Sequence, residues 1–124
     1  IANRVIGCVN APSLIQRVIK RCIEKGAAVN LDAYDKNRNL LYNSLKKFGF
    51  ECIKPEGAFY LFVKAPVADD KEFCAQAQKH NLLLVPGSSF ACSGYVRIAY
   101  CVSYEQIERS LPAFEAVAKE YGLC

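Results

Sequence analysis

The stretch "GYVRIAY", residues 94–100, sets a guanidinium in the middle of an apolar run that reads as a strand. Side chains alternate along a strand, so Val96, Ile98 and Tyr100 share one face and Tyr95, Arg97 and Ala99 the other. A permanent charge at such a place must meet water, a carboxylate of the protein, or a ligand. The planar fork of donors suits a carboxylate better than an ammonium would, and a strand would hold that fork still. The competing reading is an edge arginine with its head in water. Two further stretches border on chemistry. "VPGSSF", residues 85–90, ends an apolar run with a Pro-Gly turn and two serines that offer hydroxyls and backbone N–H groups. "PEGAFYLF", residues 55–62, combines Gly57, which permits close approach, with three aromatics in four positions. Taken singly, the first is an ordinary loop and the second is core packing.

The remaining candidates are weaker. His80, the only histidine, ends a helical stretch beside Asn81, where a favourable dipole contact explains it. No Ser-His-Asp or Cys-His set assembles around it, and neither phosphate-cradling glycine motif is present. Asp32, Asp35, Asp69 and Asp70 fall at helix starts, where the macrodipole accounts for them. The seven cysteines show no CxxC and no metal-ligand spacing. Cys22, Cys52, Cys74 and Cys101 sit among apolar neighbours and read as reduced, buried thiols rather than a disulfide framework.

The elements that must position these residues follow from periodicity. Helices are expected over 13–25, 31–48, 70–80 and 104–121. Ser13 with Gln16, Asp69 with Glu72, and Ser103 with Gln106 give start signals, and Gly26 and Gly49 give stops. Leu31, Tyr34, Leu41, Leu45 and Phe48 form one apolar stripe; Ile107, Leu111, Phe114, Val117, Ala118 and Tyr121 form another. Pro112 is expected to kink or split the last helix. Residues 1–7 are too short to assign. Strands are expected over 51–54, 58–64, 82–86 and 95–101. The fold class is therefore α/β of the α+β type: a small, mostly antiparallel sheet of about four strands with helices packed on it, in the order α-α-β-β-α-β-β-α.

Composition fits one globular domain. The 124 residues are 52% hydrophobic and 23% charged. The net charge of +4 comes from scattered basic residues, which marks solvated helix faces rather than a nucleic-acid footprint. No apolar run approaches the roughly 20 residues of a membrane span, and "IANRVIGCVN" lacks the pattern of a signal peptide. The chain contains no methionine, so a piece of a longer protein is expected.

Taken together, "Y…NR…L…L…GF", "PEGAFYLF", "LLLVPGSSF" and "GYVRIAY" resemble the C-terminal part of class I, fold-type I pyridoxal-phosphate-dependent aminotransferases. The similarity runs from Asn10 to about Tyr121, and the order and spacing of four motifs make it specific. The resemblance implies that Arg97 binds the substrate α-carboxylate by a two-pronged salt bridge. It implies that the loop holding Gly87 and Ser89 borders the substrate pocket, and that Phe59 with Tyr60 lines or supports it. It places the "VNAPSLIQ" stretch, with Asn10 as its exposed polar candidate, near a dimer interface. Residues 1–30 would be a lead-in and helix from the large-domain side, and 31–124 the small C-terminal domain. The complete enzyme would be a cytoplasmic homodimer that uses pyridoxal phosphate to exchange amino acids and 2-oxo acids, without nucleic-acid or membrane partners.

The sequence departs from a complete enzyme of that kind. None of its ten lysines has the serine-rich context of the Schiff-base lysine, and the family's other cofactor ligands lie upstream of the matched motifs. No catalytic, cofactor-binding or metal-binding residue is therefore expected here. The chain is expected to be inactive alone, without bound cofactor, and to act through orientation and domain closure. A carbon–sulfur lyase or synthase of the same fold would keep the same arginine. A stand-alone, non-catalytic α+β binding module is the reading of a different class, and a native start codon at residue 1 would favour it.

Overall fold

The computed structural model describes residues 12–124, and these fall into two units divided between Asn30 and Leu31. Asn10 and the unassigned residues 1–7 lie outside the described residues. In the first unit, α1 spans Ser13–Glu24. Its start differs from the expected capping box: Pro12 takes the N-cap position, with no side-chain cap bond, and Ser13 is already helical. A proline suits the first turn because its missing N–H has no intrahelical acceptor there. Every residue of α1 is exposed, including Leu14, Ile15, Val18, Ile19 and Ile23.

The second unit runs α2 (Leu31–Lys47), β1 (Tyr60–Lys64), α3 (Asp70–Lys79), β2 (Val85–Pro86), a 3-10 turn (Gly87–Phe90), β3 (Tyr95–Ala99) and α4 (Tyr104–Glu120). The sheet order is β1-β3-β2, antiparallel throughout. The class is as the sequence implies, but among the described residues the sheet has three strands rather than about four. Residues 51–54 contribute only an isolated bridge between Cys52 and Val63. Pro55 follows at once, and a proline both lacks a donor and restricts the residue before it.

The other strands are shorter than their apolar runs for identifiable reasons. Asn81 is left-handed, with φ 61°, and Leu82 N–H bonds back to Ala77, so Leu82 closes α3 instead of joining the sheet. Beyond Ala99 one further bond, Tyr100 N–H to Phe59 O, keeps the register, and then the backbone is drawn away: Asn37 Nδ2 donates to the carbonyls of Tyr100 at 3.0 Å and Val102 at 2.7 Å. Asn37 is buried, and those two bonds satisfy an amide that would otherwise be costly inside.

One sheet face meets the helices. Leu61 and Val63 of β1 and Val96 of β3 join Leu41 and Leu45 of α2, Phe73 and Ala77 of α3, and Ile107, Phe114, Val117 and Ala118 of α4 in a single core. The helical stripes read from the sequence are this core, except that Leu31 stays exposed. Asp69 caps α3 by accepting from Lys71 and Glu72 N–H, and Ser103 caps α4 by accepting from Gln106 N–H. The helix α4 runs unbroken through Pro112.

Candidate functional site

The opposite sheet face carries Tyr60, Phe62 and Arg97. Register places Phe62 directly across from Arg97 on β1 and Val85 across from it on β2. Arg97 is half-buried. Its guanidinium carbon lies 4.2 Å from the centre of the Tyr60 ring and 4.0 Å from the centre of the Phe90 ring. Arg97 forms no ion pair with any acidic residue among the described residues. The cation is thus held between two rings, and its donor edges are left for something else. Stacking of this kind is favourable because each ring presents a negative face to the cation.

The rings are held in turn. Tyr60 packs against Phe59, ring centres 4.4 Å apart, and Phe62 meets Phe90 edge-on at 6.5 Å. Phe59 remains exposed. It is fixed through its backbone, since Tyr100 N–H donates to Phe59 O and Tyr100 Oη–H donates to Ala58 O at 2.6 Å. Ala58 is left-handed, with φ 58°, a conformation that costs a non-glycine residue about 1 kcal/mol or more. The buried Tyr100 hydroxyl offsets that cost.

The "VPGSSF" loop is more than an ordinary loop. Gly87 is buried, and a Cβ there would stand 2.2 Å from Cys92 O and 2.7 Å from Tyr95 O. Only glycine lets those carbonyls close over the turn. At Gly57, by contrast, a Cβ would meet nothing within 4 Å among the described residues, so no described neighbour requires glycine there. Ser89, expected at the pocket, is exposed, and Arg97 bonds neither serine. Among the described residues, Ser88 is the serine of the pair whose side chain has a hydrogen-bond partner. Its N–H donates to Asp70 Oδ2 at 2.8 Å and its Oγ–H to Asp70 Oδ1 at 3.0 Å.

Two residues at the site went unread in the sequence. Phe90 carries no local mark, because nothing in its neighbours separates a loop aromatic that packs from one that clamps a cation. Asp70 is, as the helix-start reading has it, the first residue of α3, but it is only 3% exposed. Burial pushes its carboxyl up, yet hydrogen bonds from Ser88 N–H, Ser88 Oγ and Gly94 N–H prevail and hold it below its ordinary value. The unfolded chain therefore takes up this proton more readily. The stability that the contact contributes is complete above the unfolded carboxyl value, about 3.9, and is lost as pH falls through the depressed folded value. In acid melts, the stability gap between the protein and Asp70→Asn should be constant near neutrality and close below about pH 4. A gap that persists unchanged at the lowest pH would show that the carboxylate is not its source.

Elsewhere, His80 is the C-cap residue of α3, and its Nε2 lies 2.8 Å from Glu120 Oε1. The six described cysteines are free. Cys22 and Cys101 are exposed rather than buried, while Cys52 and Cys74 are half-buried, and burial pushes both of those thiols up.

A family model described as "Aminotransferase class I and II" matches residues 2–114. The chain is 40% identical over 95 residues to aromatic-amino-acid aminotransferase 2 of Thermococcus litoralis, covering 73% of this chain and 24% of that protein. It is 31% identical over 116 residues to an aspartate aminotransferase of Thermotoga maritima, covering 93% and 30%. The crystal structure of an amino transferase from Eubacterium rectale matches with a TM-score of 0.79 at 48% identity, over 97% of this chain and 30% of that one. The chain therefore spans less than a third of the length of these relatives.

Proposed function

The chain belongs to the class I and II aminotransferase family, and from that premise we propose that it forms the small C-terminal domain of a pyridoxal-phosphate aminotransferase in which Arg97 binds the α-carboxylate of the amino acid and the 2-oxo acid. One observation carries this reading: a guanidinium clamped between Tyr60 and Phe90, with no acidic partner among the described residues. A structural arginine at mid-strand would be expected to have found a carboxylate of its own. The planar edge left open is the edge that a carboxylate takes in two parallel bonds.

The family implies pyridoxal phosphate in the complete enzyme. The residues here do not fit a covalently held cofactor. All ten lysines are exposed, whereas a Schiff-base lysine needs a desolvated setting that favours its neutral form. The cofactor's electron-sink chemistry thus belongs to residues outside these, and this chain contributes orientation. Arg97 fixes one end of the substrate, which lowers the barrier by proximity, and closure of the domain over the site is the motion that brings it there.

Two features support the rest of the reading. The exposed apolar residues of α1 suit a helix covered by the large domain or by a second subunit of a homodimer. Unpaired cysteines among the described residues suit a reducing cytoplasm, and no helix of the described residues is long and apolar enough to cross a membrane. Kinetics of Arg97 variants on an amino acid and on its decarboxylated amine test the carboxylate assignment. The division of labour has its own test. Mixed with pyridoxal phosphate and desalted, the 124-residue chain should keep no cofactor absorbance and turn over no amino acid. Stoichiometric retention with turnover would overturn it.

A further inference from the structure

We propose that Asp70 is a positioning residue for Arg97: by holding Ser88 through both carboxylate oxygens it fixes the turn that sets Phe90 on the guanidinium. The proposal rests on the reading of Arg97 as the carboxylate ligand. Of the two rings that clamp the cation, Tyr60 is placed by strand register, opposite Ala99. Phe90 has no such guarantee. It is 45% exposed, so burial does not hold it, and among the described residues its ring meets the edge of Phe62 and the cation itself. Its position is the position of the Gly87–Phe90 turn.

That turn closes on itself through Ala91 N–H to Ser88 O and Cys92 N–H to Gly87 O. These bonds shape the loop, and its start is held by β2 pairing with β3 and by Gly87 packed under two carbonyls, which leaves its middle to be tied from elsewhere. The side chain that reaches in from elsewhere is Asp70, with bonds of 2.8 and 3.0 Å to Ser88. Asp70 is itself immobile: it begins α3, whose Phe73 and Ala77 lie in the core. The path is therefore core, α3, Asp70, Ser88, Phe90, Arg97. A buried carboxylate on a loop hydroxyl and N–H is a rigid, directional tie, because neither oxygen has water to turn to. An amide in its place can keep both Ser88 contacts only by accepting from the N–H and donating to the hydroxyl, which turns the Ser88 proton away and removes the charge assistance of both bonds, so Asp70→Asn should let the turn drift.

The experiment uses the full-length enzyme and, of L-aspartate, L-phenylalanine and L-alanine, the one turned over fastest, beside its decarboxylated amine. Asp70→Asn and Phe90→Ala should each lower kcat/KM for the amino acid by roughly tenfold, mostly through KM, and change the amine by less than about twofold. Asp70→Asn added to Phe90→Ala should cost nothing further, because both act through one ring. Ser88→Ala, which keeps the backbone bond and the fold, should show the same selectivity at about threefold. Equal losses on both substrates, fully additive losses in the double variant, or no selective loss in Ser88→Ala would overturn the proposal. Failure of the underlying reading looks different: Arg97→Ala would then lose equally on amino acid and amine.

Discussion

Arg97→Ala in the complete enzyme should reduce kcat/KM for every amino-acid substrate by roughly a hundredfold to several thousandfold. Removing one partner of a desolvated, hydrogen-bonded charge pair costs about 3–5 kcal/mol, and each 1.36 kcal/mol is tenfold in rate. The loss should be general because the α-carboxylate is common to all amino acids, and amines without it should lose little. Arg97→Lys should recover only a small part. An ammonium keeps the charge but loses the planar fork that two bonds require, and it sits less well between the rings of Tyr60 and Phe90. The fold should suffer far less than the activity. Arg97 has no ion pair among the described residues, so the alanine variant gives up two ring contacts, about 1–2 kcal/mol together. Steady-state kinetics on both substrates beside a denaturant melt decide the matter. Equal losses on amino acid and amine, or unfolding with normal residual kinetics, would make Arg97 a structural arginine.

Gly87→Ala should be the most destabilising single-methyl change in the loop, by about 2–4 kcal/mol. The added Cβ would overlap two backbone carbonyls, Cys92 O at 2.2 Å and Tyr95 O at 2.7 Å, and neither can swing aside as a side chain would. Relief requires the turn to move off β3, carrying Phe90 and Ser88 with it. Gly57→Ala is the matched control: no atom of the described residues lies within 4 Å of its Cβ, and the same methyl there should change stability by less than about 0.5 kcal/mol. Denaturant midpoints of the two variants, compared with the parent, give the answer. Similar midpoints for both would mean that the turn is free to open and that Gly87 is not needed for closure.

The sequence by itself determined much of this protein. Two helices were legible from their apolar stripes and the other two from start or stop signals, because 3.6-residue periodicity and capping are local properties, although the N-cap expected at Ser13 falls at Pro12. Leu41, Leu45, Ile107, Phe114 and Val117 fall on the two apolar stripes, and they lie in the core. The spacing of four motifs was enough to mark the family, and the alternation in "GYVRIAY" puts Arg97 on the sheet face away from the core. Tertiary structure decided what depends on partners distant in the chain. The strand at 51–54 dwindled to one bridge and 82–86 to two residues, because pairing needs a free edge and Leu82 had already given its N–H to α3. The role of glycine moved from Gly57 to Gly87, because only the packed loop brings carbonyls onto one of them. Asp70 changed from a helix-start charge to a buried tie, and Phe90 from a loop aromatic to half of a clamp. The reason is the same in each case. A sequence states which groups a residue carries, but the group that answers it lies 18 residues away for Asp70 and Ser88 and 37 for Tyr60 and Arg97, and only the folded chain brings the two together.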